Sequence, residues 1–454
     1  MIKKKLNFYR NKLSNQLKDK DFTEILKGGG INFLTKSLTV FIGISFSFII
    51  TTYYGAEEMG VFSIINSYFT IAIIVSLMGL HTAMLRFIPE HIVKYSLQSA
   101  YKLFLQVFKL VFIIAVIIAI IAYFLSDFIA IKIFENESLI VIFSIAAFFI
   151  VIQALGKLSL EGIRALKNMK VYGLLEVSVA VFKITLLAIL TYFYYQEFNS
   201  VYTLFASFVF LLIGALCFVF SLFTKKNDLL DTVKTYSNKD VVTVAFPMFL
   251  TGVMSVVISQ TDIVMLGAMS NVSEVGVYAI AVKLAFLTSF ILTSINSIAT
   301  PKFSELFHAG KMEALIKIAQ KSSKLVFWVS VPIIIVFIFF GKFMLSIFGD
   351  EFVKGYPVLI LLALGKFVNG IAGSVGSFLN MTGHQKVFNR IVIIGGVTNI
   401  VFNFILIPKY GILGAAIASM ISIILWNLLA SLYIKYKFGF FIGYLPIKLN
   451  VNKK

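Results

Sequence analysis

Charge is scarce in this chain: Asp, Glu, Lys and Arg make up 13% of 454 residues, about half the share found in soluble domains. That scarcity excludes a soluble globular enzyme. Cysteine is nearly absent, and the single Cys217 lies in an apolar run, which leaves no disulfide framework and no thiolate metal site. There is no G-x-x-x-x-G-K-[ST] loop for nucleotide hydrolysis, and no spacing of His with acids that suits zinc. Long polar segments are missing too, so neither an extramembrane domain nor the large external loops of membrane glycosyltransferases and polymerases fit. No enzyme and no bound cofactor are expected.

What the chain has is apolar length. Apolar residues make up 59%, and mean hydropathy is +0.95. Twelve runs are long enough to cross a bilayer, each near the ~20 residues that a helical span needs: 31–54, 61–80, 108–126, 138–155, 173–195, 201–223, 241–266, 276–299, 325–346, 356–379, 391–407 and 412–434. They must be helices, because a segment in lipid has to satisfy its own backbone hydrogen bonds.

The net charge of +19 invites a nucleic-acid reading, but its placement argues for topology. With residues at span ends counted in the adjoining loops, 32 Lys and Arg fall on one face and 4 on the other. The basic face is expected to be cytoplasmic, with both termini on it. Nucleic acid is excluded as a partner, and anionic membrane lipids are retained. Residues 1–30, with Lys3, Lys4, Lys5, Arg10 and Lys12 among Leu6, Leu13 and Leu17, read as a basic amphipathic helix on the inner surface, broken by Gly28, Gly29 and Gly30. A merely solvated tail is the alternative.

An internal repeat is the most informative feature. GAEEMGVF from Gly55 returns as NVSEVGVY from Asn271, setting Gly60 opposite Gly276. Three further landmarks keep nearly the same offset: Pro89 with Pro301, FENE from Phe134 with FGDE from Phe348, and Lys170-Val171-Tyr172 with Lys386-Val387-Phe388. The chain therefore divides into two homologous six-span lobes, 31–223 and 241–434, joined by a linker at 224–240 and followed by a basic tail at 435–454. An even span count makes both lobes enter the membrane in the same direction, related by a pseudo-twofold axis along its normal. The predicted fold is an all-α polytopic membrane protein of twelve helices in two bundles, V-shaped around a cleft.

Ionisable groups inside spans face a wet cavity or a partner, because burying them in lipid costs a few kcal/mol. Lys183 and Lys366 lie near the midplane, and Lys36 lies about 9 Å into the first span at ~1.5 Å per residue. Asp262 and Lys283 reach similar depth on the hairpin of the seventh and eighth spans. They are expected either to pair as a structural lock or to act in gating or in H+ or Na+ coupling. Arg86, with His81, stands at the inner end of the second span, where its fork suits phosphate oxygens; ordinary topology anchoring is the alternative. Polar stripes Lys36/Thr39/Gly43/Ser47 and Ser289/Thr293/Asn296 follow helical spacing and are read either as cleft lining or as helix-to-helix contacts. Pro247 and Pro332 are expected to kink their helices.

GAEEMGVF, NVSEVGVYAIAVKLA, TDIVMLG, TPKFSELFHAGKMEAL and IPKYGILGAAIAS together resemble the polysaccharide transporter branch, the Wzx-type flippases, of the multidrug/oligosaccharidyl-lipid/polysaccharide exporter superfamily. The likeness runs over about residues 30–434. It implies alternating access and movement of undecaprenyl-pyrophosphate-linked oligosaccharide from inner to outer leaflet for O-antigen, capsule or related glycans. It also implies a bacterial inner-membrane location, a cationic cavity for the diphosphate, and polymerase and ligase machinery as partners. By chemistry and not by motif, Lys36, Arg86, Lys183 and Lys366 are assigned to substrate, with Asp262 and Lys283 assigned to gating or coupling. Lipid II flippases of the superfamily have fourteen spans, which disfavours that substrate. A multidrug or cation antiporter and a non-transporting scaffold are the competing functions.

Overall fold

The computed structural model describes residues 20–224 and 236–444, and they are helical with no strand among them. The amphipathic tail over residues 1–19, most of the linker and the last ten residues lie outside the described residues. Eleven helices are long and apolar enough to cross a membrane. The first, α1 (Lys20–Leu77), makes two passes because Gly55 turns the chain back, so twelve passes result, as the hydropathy predicted. One expectation fails here: α1 runs unbroken through Gly28–Gly30, since a helix anchored at its apolar end tolerates glycine at about 1 kcal/mol each.

The N-lobe continues with α2 (Leu80–Lys94), α3 (Leu97–Phe124), α4 (Leu139–Ala165), α5 (Met169–Phe193) and α6 (Asn199–Thr224). The C-lobe comprises α7 (Asn238–Met269), α8 (Val272–His308), α9 (Met312–Ser346), α10 (Tyr356–Ala372), α11 (Val375–Met381), α12 (Gln385–Tyr410) and α13 (Ile412–Phe438). α7 and α9 run unbroken past Pro247 and Pro332, whereas the chain breaks at Gly79 (φ 75°) and Gly373 (φ 78°). Gly79 also lets α2 approach α7 closely, because a Cβ there would lie 2.2 Å from the Ala245 carbonyl oxygen.

The lobes meet along α1 and α2 on one side and α7 and α8 on the other. At the end distal to the termini, one apolar core is shared by both lobes, running from Phe46, Met59 and Phe62 to Val275, Tyr278 and Phe352. At the proximal end the core splits. One part lies under the N-lobe with the start of α7, and the other lies within the C-lobe. The core that both lobes share is distal, where the V expected from sequence has its apex, and at the proximal end only the start of α7 is built into the core of the N-lobe.

Candidate functional site

The apex is built on the repeat. A Cβ on Gly60 would lie 2.0 Å from the Val272 carbonyl oxygen, and one on Gly276 would lie 2.0 Å from that of Ala56. Each glycine matches the other, and Ala56 matches Val272, at the same 216-residue offset, so the pseudo-twofold axis passes between them. Only glycine permits so close a crossing of backbones. Beside the crossing, Glu58, buried at 6% exposure, ties α1 to the N-lobe's own α6, its carboxylate accepting hydrogen bonds from the N–H groups of Phe198 and Ser200 at the start of that helix.

Two amines from opposite lobes meet just below this crossing. Lys183 of α5 places its Nζ 4.4 Å from the centroid of the Phe46 ring and 5.6 Å from that of Phe62. Lys283 of α8 places its Nζ 5.8 Å from the same Phe62 ring and donates a hydrogen bond to Ser47 Oγ of α1. Ring faces and a hydroxyl hold these cations, and neither joins any of the ion pairs among the described residues. The expected pairing of Lys283 with Asp262 is not formed. The hairpin puts them at similar depth, but α8 turns Lys283 toward the N-lobe and Asp262 is turned into its own lobe.

Asp262, 8% exposed, sits in a neutral polar shell. Its Oδ1 accepts from Asn399 Nδ2 at 3.0 Å and Asn403 Nδ2 at 2.7 Å, and its Oδ2 accepts from Tyr278 OH at 2.5 Å and from Ser419 Oγ. Four donors satisfy a buried carboxylate without a counter-cation. Asn403 Oδ1 is buried and unpartnered, a spare acceptor beside the charge. Lys366 of α10 is half-buried.

The remaining sequence candidates lie apart. Lys36 is exposed on the proximal part of α1. Arg86, its side chain 64% exposed, stands 3.9 Å from Glu90 on the surface of α2, so α2 carries it to the proximal rim and not to the apex. His81 is half-buried, and burial lowers its basicity below the ordinary imidazole value.

Between apex and rim, Thr251, Ser255 and Ser259 of α7 are all exposed. They match Thr35, Thr39 and Gly43 of α1 at the repeat offset. The three α7 hydroxyls share one face at i, i+4 and i+8 and donate to carbonyl oxygens of their own helix, whereas Thr35 lies against Gly173 of α5. The expected α8 stripe divides: Thr293 is exposed, Ser289 is buried, and Asn296 accepts from Ser374 Oγ.

Comparison with known proteins accords with this architecture. Residues 25–307 match the family described as "Polysaccharide biosynthesis protein", and residues 247–405 match MatE. The chain is 27% identical over 175 residues to "Probable flippase AglR" of Haloferax volcanii, covering 38% of this chain and 37% of that one. It is 24% identical over 184 residues to "Putative O-antigen transporter" of Shigella flexneri, covering 40% and 43%. The aligned segments thus span less than half of the curated relatives. Among solved structures, "Lipid II flippase MurJ, inward closed conformation" shares the fold with a TM-score of 0.70 at 17% identity, over 89% of this chain and 87% of that one. The first of these matches covers well over half of the sequence, and the chain belongs to the polysaccharide biosynthesis protein family, built on the fold of the multidrug/oligosaccharidyl-lipid/polysaccharide exporters.

Proposed function

We propose that the protein is a flippase that carries an oligosaccharide linked to undecaprenyl pyrophosphate across the bacterial inner membrane, working by alternating access. Both termini lie in the cytoplasm in this reading, so the cleft opens inward and its closed apex faces outward. The observation that carries the proposal is the pair Lys183 and Lys283, brought by opposite lobes to the same Phe62 ring with no ion-pair partner among the described residues. A diphosphate supplies the missing negative charge, and in this reading the exposed hydroxyls of α7 meet the sugar chain while the prenyl tail stays in lipid. Lys36 and Arg86 draw the anion in at the rim, and Lys366 lies deeper in the C-lobe. The relatives named as flippase and O-antigen transporter support the substrate class. Polymerase and ligase machinery would take up the glycan on the outer side.

Asp262 is the coupling group in this proposal. A turn of the Asn399 and Asn403 amides would replace donors by oxygens around the carboxylate, making an all-oxygen shell suited to a hard cation such as Na+, and protonation would release the same donors. The MatE match over residues 247–405 favours a cation antiporter as the second reading. Against it stands the apex, where amines would repel a cationic substrate.

The test is equilibrium binding of a polyprenyl-diphosphate oligosaccharide to purified protein, with inorganic pyrophosphate as competitor. Binding that pyrophosphate displaces, and that weakens in Lys183→Ala and Lys283→Ala, is the expected result. Binding of a lipophilic cation in its place, unaffected by pyrophosphate, would overturn the reading in favour of an antiporter.

A further inference from the structure

Where the two halves of the repeat should be identical at the apex, they differ in how one helix end is capped. The second arm of α1 begins at Ala56, directly after Gly55, whose backbone (φ 79°, ψ −171°) lies in a region that only glycine occupies without strain. A glycine has no side chain to cap the helix it precedes, so the first N–H groups of this arm need a partner from elsewhere. Glu351 provides it: its Oε1 accepts the Ala56 N–H at 2.8 Å. Glu351 belongs to the 3₁₀ turn Asp350–Gly355, between α9 and α10 of the other lobe.

The matching position in the C-lobe is Asn271, which has extended backbone (φ −80°, ψ 144°) and caps its own helix by accepting the Ser273 N–H at 2.9 Å. The residue matching Glu351 is Glu137, which is exposed and is not the cap of α8. One cap is therefore made within a lobe and its counterpart between lobes. We infer that Glu351 is a latch that holds the distal face closed, a carboxylate of one lobe seated on the helix N-terminus of the other and surrendered each time the lobes separate there.

The physical case rests on three features. A carboxylate on a helix N-terminus gains both a charge-assisted hydrogen bond and the favourable end of the helix dipole. The Gly60 and Gly276 crossing supplies van der Waals contact and no charge, so the latch adds the polar hold that the crossing lacks. Glu351 is exposed, so when the lobes part water solvates the carboxylate, and the latch opens at modest cost. The inference depends on alternating access alone and is independent of the substrate and of the coupling ion.

Spin labels on Gln196→Cys of the N-lobe and Lys409→Cys of the C-lobe, both exposed near the distal end, report the opening in a Cys217→Ser background. The protein without substrate should give one short distance. Glu351→Ala should add a longer component, shifting the closed-to-open ratio by roughly tenfold, the worth of one charged hydrogen bond. Glu351→Gln, which keeps an acceptor of the same shape, should fall between the two. Glu137→Ala, which removes the matching charge from the other half, should leave the distances unchanged. An unaltered distribution in Glu351→Ala would overturn the latch, as would an equal shift in Glu137→Ala, which would reduce it to a general effect of charge. Neither result bears on whether the cleft binds a diphosphate.

Discussion

At the scale of single residues, the two amines and one carboxylate of the interior divide the work by their surroundings. Lys183 and Lys283 rest on the rings of Phe46 and Phe62 and lack an acidic partner, so each is available to an anion. Lys183→Ala and Lys283→Ala are each expected to lower glycan export by ten- to a hundredfold at unchanged protein abundance, the worth of one charge-assisted contact; Lys366→Ala should have a smaller effect. Asp262 is fully satisfied by neutral donors. Asp262→Asn replaces an acceptor by a donor among donors, and should abolish the response of transport to an imposed H+ or Na+ gradient. A variant that still responds would leave Asp262 a structural residue. Sequence alone placed all four span lysines and Asp262 at membrane depth, because their cost in lipid marks them. It did not show which way a helix turns them, so Lys283 was matched to Asp262 when its contact is with the other lobe. Phe46 and Phe62 carried no signal, since an apolar aromatic in a span is unremarkable until a cation lies over its face.

At the scale of elements, the repeat governs even the chain segments outside the membrane. Gln106 of α3 donates to the Tyr236 carbonyl oxygen at 3.0 Å, and Gln320 of α9, its match at the repeat offset, donates to that of Phe441 at 2.9 Å. The end of the linker and the C-terminal segment thus lie as equivalent straps under their lobes. The N-lobe strap is further held by Tyr236 OH, which donates to Glu90 Oε1 at 2.9 Å. Lys94 and Tyr236 hold the Glu90 carboxyl below its ordinary 4.5. A carboxyl whose acidity is raised by folding stabilises the fold above its unfolded value and loses that contribution as pH falls through the folded one. Amide-exchange protection of residues 236–240 should therefore stay constant from neutral pH down to about the usual carboxylate value and fall below it. Protection that fell near neutral pH would point to another group. The hydropathy runs located every pass but missed the break at Gly79, which depends on the close approach of Ala245, and the continuity through Gly28–Gly30, which depends on the apolar helix that follows them. The α7 stripe of Thr251, Ser255 and Ser259 was also legible in principle, since the repeat offset projects the α1 stripe onto it.

At the scale of the whole molecule, a shared distal core with divided proximal cores makes a V that opens inward in the proposed orientation, and its apex must come apart for the proposed transport. Gly60→Ala and Gly276→Ala each put a methyl group 2.0 Å from a carbonyl oxygen of the opposite lobe. By the pseudo-twofold symmetry both should favour the distal-open state to a similar extent, at about 1–3 kcal/mol of lost closure. Labelling of distal cysteines checks this: unequal effects would mean that the axis does not pass between these glycines. Translocation is tested most directly in vesicles containing the purified protein and a fluorescent polyprenyl-diphosphate oligosaccharide, with the fluorophore destroyed from outside by a membrane-impermeant reductant. The wild-type protein should expose the inner-leaflet pool within minutes, and Lys183→Ala/Lys283→Ala should expose it no faster than protein-free vesicles do. Equal rates in the wild type, the double variant and empty vesicles would contradict a flippase, and a double variant as fast as the wild type would remove the paired amines from the mechanism.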